Sequence, residues 1–139
     1  MTSSALDALP APPCAVLLGW DLVEVKPESG WIRIAFDGKR EFCNPAGFIQ
    51  GGFLAAMLDD TMGPAVFAKT HGEWYTATID MNVSYLAPAK VGKLFGEATV
   101  VQLGKTIAFL EAKLMDEAGT LIARATSTAR LVATAKIIR

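Results

Sequence analysis

Apolar and polar positions alternate at both ends of this chain and take a helical rhythm in the middle. From Trp20 to Lys26 the alternation has the period of a strand, with Leu22, Glu24 and Lys26 set against Val23 and Val25. Pro27-Glu28-Ser29-Gly30 is a turn cluster, and Trp31 to Phe36 is the return strand of a hairpin closed by Asp37-Gly38-Lys39-Arg40. A loop from Phe42 to Gln50 follows. From Gly51 to about Lys69 the period becomes helical: Phe53, Ala56, Met57 and Asp60 share one face, and Ala55, Leu58, Asp59 and Met62 the next. A helix apolar on nearly all sides is a buried one. Gly63-Pro64 predicts a kink or break near its end, because proline removes a backbone donor. His71-Gly72 reads as the helix end beside a left-handed glycine.

Beyond that point the chain turns to β, with strands expected over 74–86, 93–103, 106–115 and 121–131. Pro88 to Gly92, Leu103-Gly104-Lys105 and Asp116 to Gly119 separate them, and two of these links are short enough to force antiparallel pairing. Strands this long predict a strongly curved sheet. Met1 to Pro13 is expected to be a flexible lead-in, Cys14 to Leu18 a helical turn, and Ala133 to Arg139 a tail. Hairpin, buried helix, then a four-stranded meander: the economical architecture is α+β, an antiparallel sheet curled around one long helix in a single domain over 1–139.

Composition narrows the function classes. Hydrophobic residues make up 52% and charged ones 19%, which suits a packed core and raises the expectation of apolar surface buried between subunits. Thirteen Lys and Arg are spread along a chain of net charge −1, so no nucleic-acid footprint is expected. With one His and two cysteines, Cys14 and Cys43, outside any C-x-x-C pair, no metal site is expected. The first residues lack the pattern of a signal peptide and no apolar run has membrane-spanning length, so a cytoplasmic protein without membrane contact is expected.

Between Glu41 and Lys69 the only charges are the neighbours Asp59 and Asp60. Burying an unpartnered carboxylate costs several kcal/mol, so at least one is read as kept for a task. On the residues alone, Asp59 is as readily a buried carboxylate satisfied by a hydroxyl as a catalytic one.

The chain resembles the hotdog-fold acyl-CoA thioesterases, in particular the phenylacetate-degradation and 4-hydroxybenzoyl-CoA branch. Asn44-x-x-Gly47-x-x-Gln50-Gly51-Gly52, then Asp59, then Thr78 to Ala89 carry the likeness, with Gly104-Lys105-Thr106 and Ile122 to Thr126 behind them. It covers roughly residues 14–132. The resemblance implies a fold with a curved antiparallel sheet around one central helix. It also implies that the backbone N–H of Gly51 polarises a thioester carbonyl, with Asn44 helping from the preceding loop. Asp59, across a subunit boundary, would be general base or nucleophile, and Thr78 would position the water. Gln50 stands where many relatives carry His; an amide can hydrogen-bond but cannot titrate.

Chemistry supports such a site. Thioester hydrolysis builds charge on the carbonyl oxygen, and a helix N-terminus offers unpaired N–H groups and partial positive charge. Gly51 and Gly52 let substrate approach the backbone closely. From Gly51 to Asp59 is eight residues, about 12 Å at ~1.5 Å each, too far for one copy to place both around one carbonyl. A homodimer, or a dimer of dimers, is therefore expected. Burial among Ala, Leu and Met is expected to raise the Asp59 pKa, with Asp60 capping or pairing elsewhere. The acyl group is expected between subunits against Phe48, Phe53, Met57 and Met62. The coenzyme A arm is expected near Pro88, Lys90 and the Gly104-Lys105-Thr106 turn. The reaction expected is hydrolysis of an acyl-CoA to acid and coenzyme A, with water and no cofactor beyond the coenzyme A of the substrate. A hotdog dehydratase or hydratase, and a non-catalytic acyl-CoA binding module, are the rival readings.

Overall fold

The computed structural model describes residues 5–137. A 3-10 turn (Ala5–Ala8) and a short helix α1 (Pro13–Leu18) lead into the hairpin β1 (Asp21–Lys26) and β2 (Trp31–Gly38). The long helix α2 (Gly51–Lys69) follows, then β3 (Trp74–Tyr85), β4 (Gly92–Leu103), β5 (Ile107–Asp116) and β6 (Leu121–Ala133). The six strands form one antiparallel sheet around α2, the hotdog arrangement expected from the sequence.

The strand order is β1-β2-β4-β5-β6-β3, so the expected meander is confined to β4-β5-β6. β3 does not lie beside β4; it forms the far edge and pairs with β6 alone. The link after β3 crosses instead of turning back. Leu86 and Ala87 donate to the carbonyl of Ile122 at 2.8 and 3.1 Å, and the carbonyl of the buried Ala89 accepts from Ile49 at 2.9 Å. Those bonds carry the chain past the start of α2 to the opposite side of the sheet. Bulges in β1, β3 and β4 bend the strands around the helix.

Small residues let the helix sit close. Ala98, Ala108, Ala112, Ala125 and Ala129 are buried on the inner face, opposite Met57, Leu58, Met62 and Val66 of α2. The closest approach is at Gly96, where an added Cβ would lie 2.4 Å from Oγ1 of the buried Thr61. That hydroxyl donates to the Met57 carbonyl at 2.7 Å, so it is fixed.

The expected break at Pro64 does not occur; α2 runs from Gly51 through to Lys69. Proline in a helix leaves the carbonyl four residues back without its donor, here that of Asp60. The indole Nε1–H of Trp20 donates to that carbonyl at 3.0 Å. A side chain from before β1 thus replaces the missing backbone bond. The chain leaves α2 through two left-handed residues, His71 (φ 52°) and Gly72 (φ 82°).

The lead-in is also more ordered than expected over its described part. The 3-10 turn packs on α2, Leu6 lies against the core, and α1 starts with Pro13 in its first turn. Met1 to Ser4 fall outside the described residues, as do the last two of the expected tail; the rest of that tail continues β6 and ends in a 3-10 turn, Thr134–Lys136.

Candidate functional site

Two clusters along α2 hold the catalytic candidates Asn44, Gln50, Gly51, Asp59 and Thr78. The first is the N-terminal tip. Asn44 organises the preceding loop: its Oδ1 accepts from the N–H groups of Ala46 and Phe48 at 3.0 and 3.1 Å. Gln50 caps the helix, its Oε1 accepting from Gly52 N–H at 2.9 Å. The N–H groups of Phe53 and Leu54 donate to the Gln50 carbonyl at 3.0 and 3.3 Å. Among the described residues, the N–H of Gly51 is thus the first-turn donor left without an acceptor. Tyr85, to which the sequence reading gave no role, closes one side of the tip. Its hydroxyl donates to the Gly51 carbonyl at 2.9 Å, and its ring lies 3.2–3.4 Å from where a Cβ on residue 51 would sit.

The second cluster sits two turns on. Thr78 Oγ1 donates to Asp59 Oδ1 at 2.9 Å, joining the helix to the outer edge strand. Asp59 is exposed in this chain, and the burial expected of it belongs to its neighbour. Asp60 is half-buried, and its Oδ2 is fully buried with no hydrogen-bond partner among the described residues. Burial, and secondarily the charge of Asp59, raise its pKa to about 6. Among the described residues the Asp60 carboxylate neither caps nor pairs, contrary to expectation.

The sign of the Asp60 effect is fixed. Its folded pKa lies above its unfolded value, so between about pH 4 and 6 the folded state binds the extra proton and stability falls as pH rises. Asp60→Asn is expected to remove this slope and to gain on the order of 1–2 kcal/mol at pH 8, about the size of a half-buried desolvation. Urea melts of both proteins at pH 4.5 and 8 measure the difference, and equal pH slopes would contradict it.

Beside Asp59 and Thr78 opens a cavity of about 430 Å³, walled by Asp60, Pro64 and Phe67 of α2, Tyr75 of β3, Trp20, and residues of the lead-in and α1. The side chains expected to hold the acyl group are elsewhere. Met57 and Met62 are sealed in the core, Phe53 stacks on Phe42 at 4.2 Å, and Phe48 is half-buried in the Asn44 loop. Pro88, Lys90, Gly104, Lys105 and Thr106 are all exposed. Lys90 and Lys105 flank opposite ends of the twelve-residue β4, about 40 Å apart at ~3.3 Å per residue. One protomer alone therefore does not bring both to one coenzyme A arm; the expected grouping needs residues of two copies.

A larger groove of about 700 Å³ lies across the sheet's other face, lined by Trp31, Ser84, Glu111 and Arg124 among others. Its Glu97 is already paired with Arg33 and with Lys113, and it contains none of the expected catalytic or substrate-binding residues. The described residues contain no helix long and apolar enough to cross a membrane.

Known proteins resemble this chain in sequence and in fold. The sequence profile of the thioesterase superfamily matches residues 46–123, a span that includes Gly51, Asp59 and Thr78. Human acyl-coenzyme A thioesterase 13 is 34% identical over 95 residues, 67% of each chain. The crystal structure of a phenylacetic acid degradation-related protein from Ralstonia eutropha JMP134 is similar over 91% of this chain and 95% of its own, at 32% identity and TM-score 0.85. A Streptococcus mutans UA159 protein solved bound to acetyl CoA shares the fold at 21% identity, with TM-score 0.74 over 82% of this chain and 89% of its own.

Proposed function

This chain belongs to the thioesterase superfamily and is a thioester hydrolase, and from that premise we propose that it hydrolyses acyl-CoA at a site shared by two copies. The observation that carries the proposal is the separation of the two clusters. The free Gly51 N–H and the Asp59–Thr78 pair sit on one helix, eight residues apart, about 12 Å along its axis. A second copy with α2 antiparallel brings the tip of one helix beside the acid of the other.

Three features favour that assembly. The exposed face of α2 carries Gly52, Ala56 and Asp59, two small residues that allow close approach around a single acid. The outer edge of β3 is open over twelve residues, and such an edge is a template for pairing with another chain. Ile79 and Tyr75 on that strand are large, apolar and exposed. The name of the human relative and the ligand of the Streptococcus protein support coenzyme A as the thiol carrier.

The mechanism follows from the contacts. Thr78 fixes one Asp59 oxygen, leaving the other to take a proton from water as the water attacks the carbonyl carbon. Charge moving onto the carbonyl oxygen is met by the N–H of Gly51 of the partner subunit at the positive end of its helix. Collapse expels the coenzyme A thiolate, which recovers the proton from Asp59. Gln50 holds the helix tip in this scheme, and no imidazole is needed. The single histidine, His71, stands just past the other end of α2 near Glu28, which disfavours a dehydratase built on it.

Release of free thiol from a panel of aliphatic and aromatic acyl-CoAs tests the proposal. Enzyme-dependent thiol release is expected from at least one. Tight binding without release across the panel, or water addition to an enoyl-CoA without thiol, would overturn it.

A further inference from the structure

The cavity beside Asp59 has one wall that the reaction does not explain. The chain from Leu6 to Leu18 supplies much of its lining, including Leu6, Leu9, Pro10, Pro12, Cys14 and Leu18. This wall is held at both ends. Its first turn packs on α2 and on the turn that follows it, where the Ala5 methyl lies 3.2 Å from the place a Cβ on Gly72 would take. Its far end is tied by Trp20 N–H to the Ala15 carbonyl at 2.9 Å and by the Trp20 indole to α2 at 3.0 Å. Between the ties runs Pro10-Ala11-Pro12-Pro13. Three prolines in four residues leave one backbone N–H to satisfy and a chain of few conformations. Such a strap crosses an apolar cavity without stranding donors there.

We propose that this strap is the distal wall of the acyl-binding subsite and sets the upper limit on acyl-chain length. The inference rests on the acyl-CoA reading above. The cavity, about 430 Å³, is nearly three times the ~150 Å³ that takes one benzene, so at the same packing it has room for roughly 17 carbons. Longer acyl groups meet the prolines. A strap of three prolines tied down at both ends resists being pushed aside by them.

The test compares kcat/KM on C4-, C8-, C12- and C16-CoA for the wild-type chain and three single variants. Leu9→Trp fills the cavity from the strap, and Leu9→Ala enlarges it. Cys14→Phe fills it from an exposed position on α1, where folding is not at stake. The filling variants are expected to lose at least tenfold on C16-CoA while staying within about threefold of wild type on C4-CoA. Leu9→Ala is expected to gain several-fold on C16-CoA relative to C8-CoA. If wild type cleaves acyl-CoA and all three variants keep its length profile, the strap is not the wall and this inference alone falls. If wild type releases no thiol from any of the four, the acyl-CoA reading falls and takes this one with it.

Discussion

Asp59→Asn is expected to lower kcat for thioester cleavage at least a hundredfold while leaving the protein folded and assembled. Asn keeps the shape of Asp and an oxygen for the Thr78 hydroxyl to donate to. It removes the ability to take a proton from water, and equally the ability to attack the carbonyl. General-base contributions are typically ~10²–10⁴-fold. Asn has nearly the volume of Asp and keeps the bond from Thr78, so the melt is expected to change little. Loss of rate with an unchanged melt isolates the chemistry from the fold. Near wild-type turnover in this variant would remove Asp59 from the mechanism.

Gly51→Pro is expected to cost as much by a different route. Position 51 is the first residue of α2, where proline is tolerated because its missing N–H has no intrahelical acceptor. Gln50 already has φ −65° and ψ 140°, the extended geometry that a residue before proline adopts. The one polar group deleted is the N–H without an acceptor in the described chain. The ring of Tyr85 must give by a few tenths of an ångström. Removal of one oxyanion donor typically lowers kcat ~10²–10³-fold, so a drop in that range with KM little changed is the expected result. Turnover within threefold of wild type would mean that some other donor meets the oxyanion.

Local pattern carried most of the fold. The hairpin, the extent of α2 and the strands were legible because periodicity and turn residues act over a few positions. The place of β3 was not, because whether a six-residue link turns back or crosses is decided by Ile49 and Ile122, far away in sequence. Pro64 misled for a similar reason: the donor that rescues the Asp60 carbonyl comes from residue 20. A sequence reading that asked which carbonyl a helical proline orphans would have been led to Asp60.

The candidate site was legible as two groups of residue types, and less so in the faces they occupy. Gly51, Asp59 and Thr78 fall into two clusters joined by α2. Asp59 and Asp60 exchanged their expected environments because they stand about 100° apart on a helix apolar nearly all round. Only the sheet's position decides which face is covered. The same ambiguity sent Met57 and Met62 to the core in place of the acyl pocket. The prolines of the lead-in suggested a loose end, yet with few donors to satisfy they suit a chain lying over an apolar cavity.

The central claim is that one copy's helix tip serves the other copy's acid, and mixing two inactive proteins tests it directly. Asp59→Asn and Gly51→Pro chains, dissociated together and reassembled, give mixed dimers in which one of the two shared sites has both groups intact. With random pairing, half the dimers are mixed, so activity should return to about a quarter of wild type in a two-fold assembly. If each site is complete within one chain, the mixture stays as inactive as its components, and the two-copy site is wrong.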